Sequence, residues 1–95
     1  MGDAVKYVRE YVDVNVDFCK EGLMLPRSMV WEDGRRYEID FVRDVRYAPA
    51  QKTGGYGERY TVMIGGHERY LFFEPAENGE KRQTGKWFVE RKVAV

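Results

Sequence analysis

Residues 11–19 read YVDVNVDFC, and the periodicity of this stretch decides the fold class. Val12, Val14, Val16 and Phe18 recur at every second position, with Asp13, Asn15 and Asp17 between them. Successive side chains of a strand point to opposite faces, so the alternation gathers the apolar groups on one face and the polar groups on the other. A helix would scatter the same valines around its girth. Upstream, Val5, Val8 and Val12 fit one face of a short helix capped by Asp3, whereas Tyr7 and Tyr11 suit an extended chain. Strand is the favoured reading, and residues 1–10 form an uncertain N-terminal segment.

Downstream, turn signals divide the chain at short intervals. Gly22 ends a turn, and a second strand runs from Leu23 to Trp31 with Pro26 marking an edge or a bulge. Glu32-Asp33-Gly34 carries an Asp-Gly hairpin signal. Tyr37, Ile39, Phe41, Val45 and Tyr47 then alternate with charged residues, and Val42 breaks the alternation, which predicts one long strand bent near Val42 and Arg43. Gly65-Gly66 joins the next pair, Arg59–Ile64 and His67–Glu74, as a two-residue turn. Lys86–Lys92 has Trp87 and Val89 on one face and Phe88 on the other, as expected of a strand that closes a sheet. Residues 48–58 and 75–85 read as long loops, the second containing Asn78-Gly79. The expected fold is all-β: a six-stranded antiparallel meander forming a small SH3-like or partly open barrel in one domain over residues 1–95. A flat sheet would expose too many of the chain's aromatic rings unless it formed a homodimer.

Composition narrows the chemistry. Sixteen basic residues balance sixteen acidic ones, so net charge favours neither nucleic acid nor an anionic membrane. A mild asymmetry remains, because residues 1–45 carry seven basic and ten acidic side chains and residues 46–95 carry nine and six. Cys19 is the single cysteine, which fits a reducing, cytoplasmic setting, and no apolar block resembles a membrane span or a leader. Catalysis needs a nucleophile, a base and an orienting group, whereas this chain has one His (His67), one Cys and one Ser (Ser28), with no spacing that joins them. The expectation is no enzyme, no metal and no cofactor. The rows Asp13, Asn15, Asp17 and Glu38, Asp40 read as solvated strand faces.

Two binding readings remain. The leading one is a non-catalytic interaction module that docks a protein partner or its own copy through a strand edge or an aromatic patch, with Trp31 beside its turn as the first candidate. Trp31, Tyr37, Tyr70, Phe72, Trp87 and Phe88 are otherwise expected in the core. The alternative is a weak single-stranded nucleic-acid binder, in which Arg46, Lys52 and Arg59 track phosphates and Tyr56, on the glycine-rich loop, stacks on a base. Lys81, Arg82 and Lys86 would extend that cationic face.

The stretches Trp31-Glu-Asp-Gly-Arg-Arg-Tyr-Glu-Ile-Asp, Gly54-Gly-Tyr-Gly-Glu-Arg-Tyr-Thr and Gly85-Lys-Trp-Phe-Val-Glu resemble a family of short uncharacterised proteins from Gram-positive anaerobes, over roughly residues 12–91. The resemblance implies no activity and no catalytic residue. It implies a setting near DNA-repair polymerases, which lifts the nucleic-acid alternative slightly.

Overall fold

The computed structural model describes residues 5–76 and 83–94. Seven strands follow in order: β1 (Val5–Phe18), β2 (Met24–Val30), β3 (Arg36–Glu38), β4 (Phe41–Pro49), β5 (Tyr56–Ile64), β6 (His67–Pro75) and β7 (Gly85–Ala94). The fold is all-β, an antiparallel sheet curled into a half-barrel. The expected third strand accounts for the count of seven where six were predicted, because it is divided at Ile39 and Asp40 into β3 and β4. Residues 5–10 continue β1 as a strand. The Asn78-Gly79 turn, Lys81, Arg82 and Asp3 lie outside the described residues.

The strand order is β3-β2-β1-β7-β6-β5-β4. It is a meander read cyclically: β1 and β7 pair from Val5↔Ala94 to Val12↔Trp87, and the seam falls between β3 and β4. Those two edge strands are consecutive in the chain. Three Cα steps from Glu38 to Phe41 span at most about 10–11 Å, so the sheet must curl until its edges almost meet there. The junction is bonded to both sides, since Ile39 N–H donates to the Arg27 carbonyl (2.9 Å) and Asp40 N–H to the Met63 carbonyl (2.8 Å). β1 also changes partner along its length, pairing with β7 through Val12 and with β2 from Asp13 onward.

Each face follows from the alternation. Val12, Tyr60, Val62, Leu71, Phe73, Trp87 and Val89 point into the curl and pack with Met29 and Ile39 as the main core. The opposite face of the sheet buries Phe72 and Phe88 as a cross-strand stack (centroids 5.1 Å, 9°), covered by Ala50. β7 is therefore apolar on both faces because it lies mid-sheet under two layers. The loop from Ala50 to Gly55 forms the second layer. It is held by the Glu90 carboxylate, which accepts from Lys52 N–H (3.0 Å), Thr53 N–H (2.7 Å) and Thr53 Oγ1 (2.9 Å), and by Arg9 Nη2 donating to the Gly54 carbonyl (2.6 Å).

Two irregularities were legible. The register of β4 against β5 shifts between Val42 and Asp44, which leaves Arg43 as the bulge at the expected bend. Pro26 likewise sits beside the register shift of β1 against β2. Tyr70 departs from its expected core place: it alternates to the outer face, 47% exposed, with the Arg59 guanidinium 4.4 Å from its ring centroid.

Candidate interaction cleft

β6 and β7 are neighbours along only part of their length. Their ladder runs from Pro75↔Gly85 to Phe72↔Phe88 and stops, while β6 continues against β5 as far as Ile64↔His67 and β7 continues against β1 as far as Val5↔Ala94. Residues 67–71 and 89–94 are thus paired on one side only. A cavity of about 890 Å³ occupies the split, with Met29, Trp31 and Tyr37 on its inner side and Tyr70 and Phe72 on its outer side.

The residues explain why the ladder ends. Continuing the Phe72↔Phe88 register would set Arg69 directly against Arg91, and like charges directly opposite destabilise a sheet. It would also set Tyr70 against Glu90, whose carboxylate is already committed to the loop at Lys52 and Thr53. The Phe72–Phe88 stack forms the crotch of the split, with the Arg9 guanidinium 4.4 Å from the Phe88 centroid.

The rims carry main-chain groups with no strand partner. A two-residue turn makes Ile64 and His67 a hydrogen-bonded closing pair, so alternation along β6 directs the N–H and C=O of Glu68 and Tyr70 away from β5 and into the split. The same alternation across the Phe72↔Phe88 pair directs those of Glu90 and Lys92 toward them. One of these groups has found a substitute, because Arg69 Nη1 donates to the Glu68 carbonyl at 3.0 Å. Main-chain polar groups need a partner, and in the split that partner is water or another chain.

Charge on the rims is one-sided once the carboxylates are assigned. Glu68 is paired with Arg43 (3.1 Å), and Glu90 is tied to the loop. Arg91 pairs with the nearly buried Glu10, and Lys52 Nζ lies 4.5 Å from the Tyr7 ring centroid. Among the described residues, no carboxylate is within ion-pair distance of Arg69 or Lys92.

The structure distributes the residues singled out in the sequence. Arg46 and Arg59 are cross-strand partners on the outer face, where Arg46 Nε is bound to Asp44 (2.7 Å) and Arg59 Nε is buried without a hydrogen-bond partner. Tyr56 alternates to the other face, stacked on Tyr47 (5.6 Å, 7°), and Lys52 reaches across the sheet to β1. The four are not brought to one surface. Trp31 lines the split and packs edge-on against Tyr37 (6.0 Å, 80°). His67 lies at the mouth of the same split, exposed, and Ser28 is buried as acceptor of a hydrogen bond from Asn15 Nδ2 (2.8 Å). Asp17 and Glu38 are consumed by Arg27 and Arg36, and Asp40 accepts from Gly65 N–H. Arg69 and Arg91 were missed in the sequence, since their opposition exists only once β6 and β7 are known to be neighbours.

No protein-family model matches the chain, and neither the curated proteins nor the solved structures contain a significant match.

Proposed function

We propose that this protein is a non-catalytic interaction module that receives an extended segment of a protein partner between β6 and β7. The observation that carries the reading is the pair of facing, half-paired strand edges on either side of a cavity. Strand addition uses main-chain hydrogen bonds for affinity and side-chain pockets for specificity, and the split offers half-paired main-chain edges beside one cavity. A strand entering it is antiparallel to one rim and parallel to the other, because β6 and β7 are themselves antiparallel. Trp31 and Tyr37 offer an apolar floor, so the aromatic singled out in the sequence belongs to the docking surface. A bacterial cytoplasmic setting goes with this reading, supported by the single free Cys19.

Amide-resolved NMR during titration with a library of extended peptides tests it. Bound peptides are expected to shift and protect the amides of Tyr70, Glu90 and Lys92; binders that leave all three unmoved overturn the cleft as the docking site. Single-stranded nucleic acid is the competing reading, supported by the adjacency of Arg46 and Arg59. With Tyr56 on the face opposite those two, one strand would have to wrap the β4 edge to use the ring and both guanidinium groups. Fluorescence anisotropy of a labelled oligonucleotide at low and moderate salt, repeated with Tyr56→Ala, addresses it: salt-sensitive binding lost in the variant would favour that reading.

A further inference from the structure

Resting on the cleft as the docking site, we infer that the segment it takes is acidic at one defined position: a carboxylate side chain that bridges Arg69 and Arg91, with an apolar side chain two residues away on the floor of Trp31 and Tyr37. The argument starts from alternation. Arg69 shares the inward-facing parity of Leu71 and Phe73 on β6, and Arg91 that of Trp87 and Val89 on β7, so both guanidinium groups edge the inner side of the split. A strand lying between them presents every second side chain to that same side. The inward residue level with Arg69 and Arg91 meets two guanidinium groups: that of Arg69, whose partner is the neighbouring Glu68 carbonyl, and that of Arg91, which already holds Glu10 and would share it. Planar guanidinium groups bind carboxylates through paired N–H donors, and these bonds are about twice as strong as neutral ones. The next inward residue falls one pleat along, over the aromatic floor.

The main chain selects the class of occupant. Phosphate would satisfy the two arginines equally well, but a nucleic acid has no alternating N–H and C=O groups with which to complete the ladders on Glu68, Tyr70, Glu90 and Lys92. A second copy of this chain is less suited than an acidic peptide. Of its two edge strands, β3 is three residues long, and β4 carries Arg43 and Arg46 with one carboxylate, Asp44, already held by Arg46, and ends in Pro49, which cannot donate to a ladder. The like-charge opposition that splits the sheet therefore has a complement. An acidic residue between Arg69 and Arg91 supplies the carboxylate that Arg69 lacks beside an Arg91 already matched by Glu10, so the cleft prefers the charge that allows the sheet to become continuous.

The experiment uses the full chain and three acetylated and amidated eight-residue peptides of alternating Thr and Val. They differ only in whether the central inward position is Glu, Gln or Lys, and each has Leu two positions on. Trp31 emission reports occupancy, since Trp87 is buried, and the amides of Tyr70, Glu90 and Lys92 report location. The Glu peptide is expected to bind about tenfold or more tighter than the Gln peptide at low salt, with Lys weakest and the gap narrowing at high salt. Arg69→Gln, at an exposed position, is expected to bring the Glu peptide down to the Gln peptide's affinity while circular dichroism stays that of the parent. Equal binding of all three peptides at the cleft amides overturns the acidic preference and leaves the docking site intact. Absence of binding up to millimolar peptide overturns both. Shifts of the cleft amides on concentrating the protein alone would assign the cleft to a second copy, and shifts caused only by a single-stranded oligonucleotide would assign it to nucleic acid. Either result refutes the acidic peptide.

Discussion

Tyr60 shows how much the curl of the sheet imposes on one side chain. It is 4% exposed, with its ring tilted against Trp87 at 5.0 Å. Burial, and after it the charge of Glu58, pushes its phenol above the ordinary tyrosine value. The unfolded chain therefore loses this proton first as pH rises, and above about pH 10 the difference favours unfolding. Stability is expected to fall between the ordinary and the raised value, and Tyr60→Phe is expected to remove its share of the fall; urea melts of both proteins at pH 8 and pH 11 compare them, the other tyrosines being common to both. Glu90 is a second such residue. Glu90→Gln weakens three hydrogen bonds to the loop at once and is expected to lower stability by about 1–3 kcal/mol, with faster amide exchange at Lys52 and Thr53. A wild-type exchange rate at those two amides would show that the carboxylate does not hold the loop. Gly85 is constrained by contact: a Cβ there would lie 2.5 Å from the Glu74 carbonyl oxygen and 2.6 Å from the Phe73 ring. Gly85→Ala is expected to cost about 1–3 kcal/mol, read as a lowered Tm.

At the scale of the element, β6 and β7 part after a short ladder although both strands run on well past it. If the opposition of Arg69 and Arg91 limits the ladder, reversing one charge should extend it. Arg69→Glu is expected to slow amide exchange at Tyr70 and Lys92 and to raise stability by about 0.2–1 kcal/mol, while closing the cleft to peptides. Unchanged exchange in that variant would point instead to the committed Glu90 as the cause of the split. β4 presents the contrary case of an edge kept from pairing. It has a bulge at Arg43, alternating charge at Asp44 and Arg46, and Pro49 at its end, the devices by which edge strands avoid unwanted partners. The Gly65-Gly66 turn, with φ of 57° and 79°, supplies the twist that its flanking strands require.

For the whole molecule, the decisive feature is the two-residue passage between opposite edges of one sheet. β1, at about 3.3 Å per residue, spans about 46 Å, so the longest strand runs most of the longest dimension of 52 Å. The curl is held where Ile39 and Asp40 bond to β2 and β5 and where Ile39 enters the core. Inserting Gly-Ser-Gly between these residues is expected to cost about 2–4 kcal/mol, since two hydrogen bonds and the burial of one isoleucine are put at risk. A change below about 0.5 kcal/mol, at the level of an ordinary surface substitution, would mean that the seam is not what closes the half-barrel.

Local pattern alone determined the class of fold, the turns at Gly22, Asp33-Gly34 and Gly65-Gly66, and most of the faces, Tyr70 excepted. The alternation of Val12, Val14 and Val16, the Asp-Gly and Gly-Gly turns and the bulge at Arg43 are all set by neighbours within a few residues, where strand period and turn geometry act. It also marked Trp31 as a surface to watch. Only the tertiary structure decided that β7 pairs with β1 across nearly the whole chain, that the long third strand divides at Ile39, and that Tyr56 faces away from Arg46 and Arg59. It alone set Arg69 opposite Arg91. Pairing partner and register depend on residues far apart in the chain, where no short-range preference reaches, and a cleft made by two strands that fail to pair exists only after both have been placed.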